Sequence, residues 1–243
     1  AAMKILAIAD VEERMLWDNF RRSRFEGVDL VLAAGDLDAD YLEFLVTMLT
    51  CPVLYVHGNH DESYRRKPPL GCICVDDSVY VYRGLRIVGL GGSMRYKDGT
   101  YMSTEQEMRR RIRKVEPSIR LLGGFDVLLA HAPARGVGDL DDLPHRGFKC
   151  FNTLLERWRP ALMVHGHVHA NYITDFSRER ELACGTRVVN AFGHVELEAP
   201  TPPQLSYGWK EHLVNKRALR KSDGITSHEE GVLGAGQSYG QRW

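Results

Sequence analysis

The sequence predicts an α/β fold, with a largely parallel sheet and helices outside it. Two patterns carry this prediction. Short runs that are apolar on both faces, and so suited to buried strands, recur along the chain. Stripes of apolar residues three and four positions apart, as on one face of a helix, lie between them. Length and composition agree. The 243 residues suffice for one sizeable domain or two small ones, and 44% hydrophobic with 26% charged residues excludes a disordered or collagen-like chain.

The elements follow in order. Lys4–Ala9 is the first strand and ends in Asp10; Val28–Ala34 is the second and ends in Gly35-Asp36. Tyr41, Phe44, Leu45 and Met48 repeat at helical spacing, and Asp38 can cap a helix beginning near Ala39. Val53–His57 ends in Gly58-Asn59-His60-Asp61, and Val79–Leu90 reads as a hairpin turning at Arg83-Gly84. Met108, Ile112, Val115, Ile119 and Leu122 predict a second helix, which Pro117 should kink or split. Phe125–Ala130 ends in His131. Phe148, Phe151, Leu154, Leu155 and Trp158 mark a third helix, and Leu162–His165 ends in Gly166-His167-Val168-His169. Asn171–Leu197 reads as antiparallel strands. Residues 3–199 are expected to form the domain and 200–243 a polar C-terminal tail, in which only Trp209–Arg220 could make a helix.

Charge and cysteine usage narrow the function. Thirty-two basic residues balance thirty-two acidic ones, so no global field favours nucleic acid or an anionic membrane. No apolar run reaches the length that spans a bilayer. Arg109, Arg110, Arg111, Arg113 and Lys114 read as the polar face of the second helix, either solvated or meeting another subunit, which leaves room for a homo-oligomer. The five cysteines are odd in number, no export signal precedes them, and Cys72 and Cys74 are too close for a relaxed disulfide. A reduced, cytoplasmic protein is expected. Cys72-Ile73-Cys74 lacks the second pair that a zinc site needs.

The acids, amide and imidazoles at the strand ends are the informative feature, because an open α/β sheet places its ligands there. Gly35, Gly58 and Gly166 accompany them and permit sharp turns and close backbone approach. Five motifs occur together: Asp10-Val11-Glu12, Gly35-Asp36-Leu37-Asp38, Gly58-Asn59-His60-Asp61, His131-Ala132-Pro133 and Gly166-His167-Val168-His169. In order and spacing they resemble those of the calcineurin-like metallophosphoesterase family. A weaker likeness, in His131–Gly136, His145–Gly147 and Arg159-Pro160, points to the metallophosphoesterase-domain-protein branch, which acts on diesters.

The resemblance implies a four-layer sandwich of two mixed β-sheets flanked by helices. It also implies two divalent metal ions. Asp36 would bridge them, Asp10 and His169 would hold the first, and Asn59, His131 and His167 the second. His60 would lie near the leaving group as the catalytic histidine. Carboxylate, imidazole and amide oxygen together suit Mn²⁺, Fe²⁺ or Zn²⁺, with Mn²⁺ favoured here. Glu12 departs from the family, which usually has a His ligand at that place. It is expected to ligate the first metal; the alternative is that it points away.

Arg95, in the loop Gly91–Tyr96, and His145, beside the acidic loop that begins at Asp139, are candidate substrate contacts. Arg95 reads equally as an ordinary surface residue. His57 and His165 read as packed strand residues, Asp61 as support for a neighbouring ligand, and Asn190 either as a loop residue or as part of the site. The function expected is a phosphoesterase, a phosphodiesterase on a small phosphate ester. The alternatives are a binding module of the same fold and a phosphomonoesterase or protein phosphatase.

Overall fold

The apolar runs become strands because both of their faces are covered. The computed structural model describes residues 2–172 and 176–233. In chain order the elements are β1 (Lys4–Ala9), β2 (Val28–Ala33), α1 (Ala39–Leu49), β3 (Val53–Tyr55), β4 (Ile73–Cys74), β5 (Ser78–Tyr82) and β6 (Leu85–Leu90). Then come β7 (Ser93–Met94), β8 (Met102–Ser103), α2 (Glu105–Leu121), β9 (Val127–Ala130), α3 (Lys149–Trp158) and β10 (Leu162–His165). The chain closes with β11 (Glu179–Glu181), β12 (Arg187–Asn190), β13 (Gly193–Glu198) and α4 (Trp209–Leu233).

The strands form two large sheets, ordered β13-β1-β2-β3-β4 and β11-β12-β10-β9-β6-β5, and a small β7-β8 pair. Strands β1 to β4 pair in parallel, with β13 antiparallel at the edge. In the second sheet β6, β9, β10 and β12 pair in parallel, with β5 and β11 antiparallel at its edges. Both sheets are therefore mixed. Between them Ile5, Leu30, Leu32, Leu54 and Val56 meet Ile87, Val127, Leu129, Leu162 and Val164. The alternate residues Leu6, Ile8 and Val31 pack outward against Tyr41, Leu42 and Leu45 of α1. On the far side Val88, Leu128 and Met163 pack against Met108 and Ile112 of α2 and Phe151 and Leu155 of α3. This is the expected four-layer sandwich.

Local chemistry sets the element ends. Asp38 caps α1 by accepting the Asp40 N–H at 2.8 Å. Thr104 and Glu107 close a capping box on α2. The β5–β6 hairpin turns at Arg83 and Gly84, both at positive φ.

Four expectations need correction. Pro117 does not split α2, which runs unbroken from Glu105 to Leu121. Pro117 and Arg113 are both exposed, so the carbonyl that loses its partner lies on the water side, while the buried stripe Met108, Ile112, Val115 and Ile119 holds both halves to the sheet. Arg111 leaves the solvated face of α2. Its Nε donates to Asp77 Oδ1 at 2.6 Å and its Nη1 to the Gly91 carbonyl at 2.8 Å. In Asn171–Leu197 β11 pairs antiparallel with β12 and β13 with β1, as expected, but β12 also runs parallel to β10. The polar tail from residue 200 contains α4, and that helix docks. Val214 and Ala218 are buried, and the Asn215 amide pairs with both the N–H and the C=O of Val81 on the edge strand β5. Two small apolar contacts and a polar staple on a sheet edge are enough to hold a helix whose apolar pattern is faint.

Candidate metal centre

The parallel strands β1, β2 and β3 end on the same side as β9 and β10, so five chain segments deliver their polar residues to one place. Backbone bonds carry the strand pairing of each sheet into these turns: the Asp10 N–H reaches the Gly35 carbonyl (3.1 Å) beyond β1 and β2, and the Gly166 N–H the His131 carbonyl (3.0 Å) beyond β10 and β9. The turns are tight. A side chain on Gly58 would collide with the Asp36 carboxylate, and a Cβ on Gly35 would lie 2.8 Å from His131 Nδ1. Three non-glycine residues here take left-handed backbone: Asp10 (φ 66°), Asp36 (φ 56°) and His167 (φ 69°). Such conformations cost on the order of 1–3 kcal/mol each and persist where the surrounding structure enforces them.

The result is a pocket of about 500 Å³ whose walls include Asp10, Glu12, Asp36, Asn59, His60, His145, His167 and His169. His131 is fully buried directly behind it. His131 Nε2 lies 3.0 Å from Asn59 Oδ1 and 3.3 Å from Asp36 Oδ2, and His169 Nε2 lies 3.6 Å from Asp10 Oδ1. The Asp36 carboxylate and the rings of His131 and His167 place one ligand atom each within 4.8 Å of one another. Asp10 also accepts the His167 backbone N–H at 3.0 Å, and Asp36 accepts that of His60 at 2.8 Å.

The tautomers follow from their partners. A carbonyl only accepts, so His131 donates Nδ1–H to Ala34 (2.7 Å) and His167 donates Nε2–H to Pro144 (2.7 Å). Burial, reinforced by the charge of His131, pushes His167 down to about 3, so its ring is neutral with Nδ1 free to ligate. His131 Nε2 faces two oxygens. Burial alone would lower its pKa, but the Asp36 charge prevails and raises it to about 9. Burial would likewise raise Asp36, yet the charge and hydrogen bonds of His131 and the His60 N–H hold it well below the usual carboxylate range. A proton on His131 Nε2 thus sits where a cation would sit, and the donor set fits a divalent ion.

This predicts linkage. Below about pH 9 the metal must expel the His131 proton, so affinity should rise about tenfold per pH unit up to there. Calorimetric titration of Mn²⁺ into stripped protein, in two buffers of different ionisation enthalpy, should show at least one proton released at pH 7, that of His131, with any further proton coming from water at the centre. No release would contradict it.

Glu12 lines the pocket, and its Oε1 accepts the Asp38 N–H at 2.8 Å, which fixes the carboxylate at the N-terminus of α1. Asp61 accepts the N–H groups of Gly58 (2.6 Å) and Asp36 (3.0 Å), so it braces the turn that carries Asn59. Burial, with the Asp36 charge adding, raises it to about 6. His145 lines the mouth with its Nδ1 2.6 Å from Asp142, and Tyr96 from the Gly91 loop faces it.

Arg95 is placed elsewhere. Its guanidinium is taken by the Met102 carbonyl and by Glu107 of the α2 cap, so it does not line the pocket. His57 and His165 are buried; His165 bonds the Gly166 carbonyl through Nδ1, and burial pushes it down to about 4. Asn190 ends β12 and does not line the pocket; its side chain donates to the Val168 carbonyl and accepts the Phe192 N–H. Pro144, whose carbonyl orients His167, is not legible in the sequence, because a backbone acceptor carries no residue signature.

The family described as calcineurin-like phosphoesterase matches residues 3–171. No curated protein matches the chain. Among solved structures, a single mutant of Vps29 from Entamoeba histolytica is similar over 84% of this chain and 78% of its own, at 15% identity and a TM-score of 0.39. A double mutant of the same protein is similar over 79% and 74%, at 14% identity and a TM-score of 0.37.

Proposed function

The chain belongs to the calcineurin-like phosphoesterase family, and we propose that it is a dinuclear metal-dependent phosphodiesterase acting on a small phosphate ester. The observation that carries this reading is the meeting of Asp10, Asp36, Asn59, His131, His167 and His169 at one pocket, with Asp10, Asp36 and His167 on left-handed backbone. Asp36 would be shared by both ions; Asp10, Glu12 and His169 would hold the first, and Asn59, His131 and His167 the second. Bound there, two divalent ions would lower the pKa of a water and offset the charge of the phosphoryl oxygens. The protein's part is to orient and to move protons. Asp61 and Asp36 fix the turn from which His60 reaches the pocket, so His60 can give a proton to the leaving alkoxide. His145 and Tyr96 wall the pocket.

Glu12 sets the substrate charge. Two divalent ions would carry four positive charges, of which Asp10, Glu12 and Asp36 would cancel three. With His in place of Glu12 the centre would keep one more. The Glu12 centre therefore favours a singly charged diester over a doubly charged monoester and, with its extra oxygen ligand, Mn²⁺ over softer ions. The five cysteines are all free and four are buried, which fits a reducing, cytoplasmic setting. Among the described residues no helix is long and apolar enough to cross a membrane.

The test is turnover by Mn²⁺-reconstituted protein of bis(p-nitrophenyl) phosphate against p-nitrophenyl phosphate. The diester should lead in kcat/KM by about tenfold or more, the equivalent of roughly 1–2 kcal/mol from one charge in a water-exposed cleft. Glu12→His should narrow or reverse the ratio. A monoester preference in the native protein would overturn the diester assignment, and an unchanged ratio in Glu12→His would remove Glu12 from the argument.

A further inference from the structure

Behind the pocket lies a second polar cluster, formed by His57, Cys74, Asp76, Arg111 and Lys221. His57 Nδ1, the Cys74 thiol and the Asp76 carboxylate have ligand-like spacing, within 4.8 Å. The Asp76 oxygens, however, are already occupied. Oδ2 accepts the His57 backbone N–H at 3.2 Å and lies 2.6 Å from His57 Nδ1, and Oδ1 accepts the Gly91 N–H. Arg111 also brings positive charge to 3.7 Å from Oδ1. The arrangement is that of a clamp rather than a cation site.

What the clamp joins is specific. His57 follows β3 in the first sheet and leads through Gly58 to Asn59 and His60. Gly91 follows β6 in the second sheet and leads to the loop that brings Tyr96 to the pocket. The Gly92 N–H also bonds the His57 carbonyl at 2.6 Å. Asp76 is buried at 8% exposure between the two. From behind, α4 holds the same stretch: Lys221 donates to the Asp76 carbonyl, and Ser222 Oγ accepts the Cys74 N–H at 3.2 Å.

We propose that Asp76 is a positioning residue for the metal loop Asn59–His60, and that the docked helix α4 holds it in place through Lys221. The inference rests on the metal-centre reading above and extends it. Asp76 does not line the metal pocket. It acts by fixing the backbone two residues before Asn59, and α4 thereby becomes part of the machinery of the site.

The experiment is Mn²⁺ titration of stripped, full-length protein, with melting temperature measured alongside. Asp76→Asn keeps the shape but cannot accept from all three N–H donors. It should weaken one Mn²⁺ step by about tenfold or more, as loss of a ligand's supporting partner commonly does, and leave the other step within twofold. Asn59→Ala should weaken the same step, and the double variant should lose less than the product of the two singles. Lys221→Met, at a partly exposed position, should weaken that step by about threefold, a smaller loss than Asp76→Asn. It is decisive where Asp76→Asn does not fold. Folded Asp76→Asn with both steps near the native values would overturn the proposal. So would equal weakening of both steps, which marks general destabilisation, or Lys221→Met with native affinity. Native protein that takes up no Mn²⁺ would overturn the metal-centre reading itself, and this inference with it.

Discussion

Asp36→Asn is expected to lower turnover by about 10³-fold and to reduce Mn²⁺ uptake from two ions to at most one. Asp36 contributes a charge, a bridge and a fixed geometry at once. Its left-handed backbone turns the carboxylate into the pocket, Oδ1 is anchored by the His60 N–H, and Oδ2 faces His131 Nε2 at 3.3 Å. Asparagine fits the same turn, since it tolerates left-handed backbone, but it offers one neutral oxygen where two ions each need a charged one. Several kcal/mol of charge stabilisation disappears, and about 4 kcal/mol corresponds to 10³ in rate. The fold should survive. In the metal-free variant His131 can release its Nε2 proton and keep its bond to Ala34, so no uncompensated charge is left buried. Melting of the metal-free variant close to native, with turnover lost, would separate lost chemistry from lost structure. Turnover within tenfold of native would remove Asp36 from the centre.

The site was legible because ligands at strand ends interrupt the pattern that makes strands. Lys4–Ala9 and Leu162–His165 are apolar on both faces since each is covered by a sheet and a helix layer, so the first acid or imidazole after them marks the sheet edge. The glycines were legible for a steric reason: at Gly58 and Gly166 a side chain would strike the Asp36 and Asp10 carboxylates. The rest needed three dimensions. Arg111 belongs by sequence to a polar helix face, and only the nearness of Asp77 and the Gly91 carbonyl draws it inward. Asp76 follows a strand of two residues and has no periodicity to announce it. Arg95 has the right loop and the wrong partner, because the α2 capping glutamate is nearer than the pocket. α4 was faint because it is held by Asn215, Lys221 and Ser222 rather than by an apolar stripe.

Arg86→Met is expected to destabilise the protein by about 3–5 kcal/mol without loosening the metal centre. Arg86 stands at the start of β6, at the opposite end of the strand from Gly91. It pairs with Asp126 through Nε (3.0 Å) and Nη2 (2.7 Å), and Nη1 bonds the Leu122 carbonyl at 3.1 Å. Both side chains are 9% exposed. Tyr207, from the segment leading into α4, lies 5.5 Å from the guanidinium. Methionine preserves much of the length and the packing but leaves Asp126 buried with, among the described residues, only the backbone N–H of position 86 as donor. For a chain of this size the cost corresponds to a fall in melting temperature of roughly 6–20 °C. Removing the stranded charge as well, in Arg86→Met with Asp126→Leu, should recover most of that loss, because the desolvation of the pair is then avoided too. Mn²⁺ affinity should stay native in both variants, since nothing at the strand C-termini depends on this pair. A single variant within 1 kcal/mol of native would mean that water reaches Asp126. A loss of Mn²⁺ affinity that follows the loss of stability would mean that the two ends of β6 are mechanically coupled, and selective weakening could then no longer be read at Asp76 without this pair as its reference.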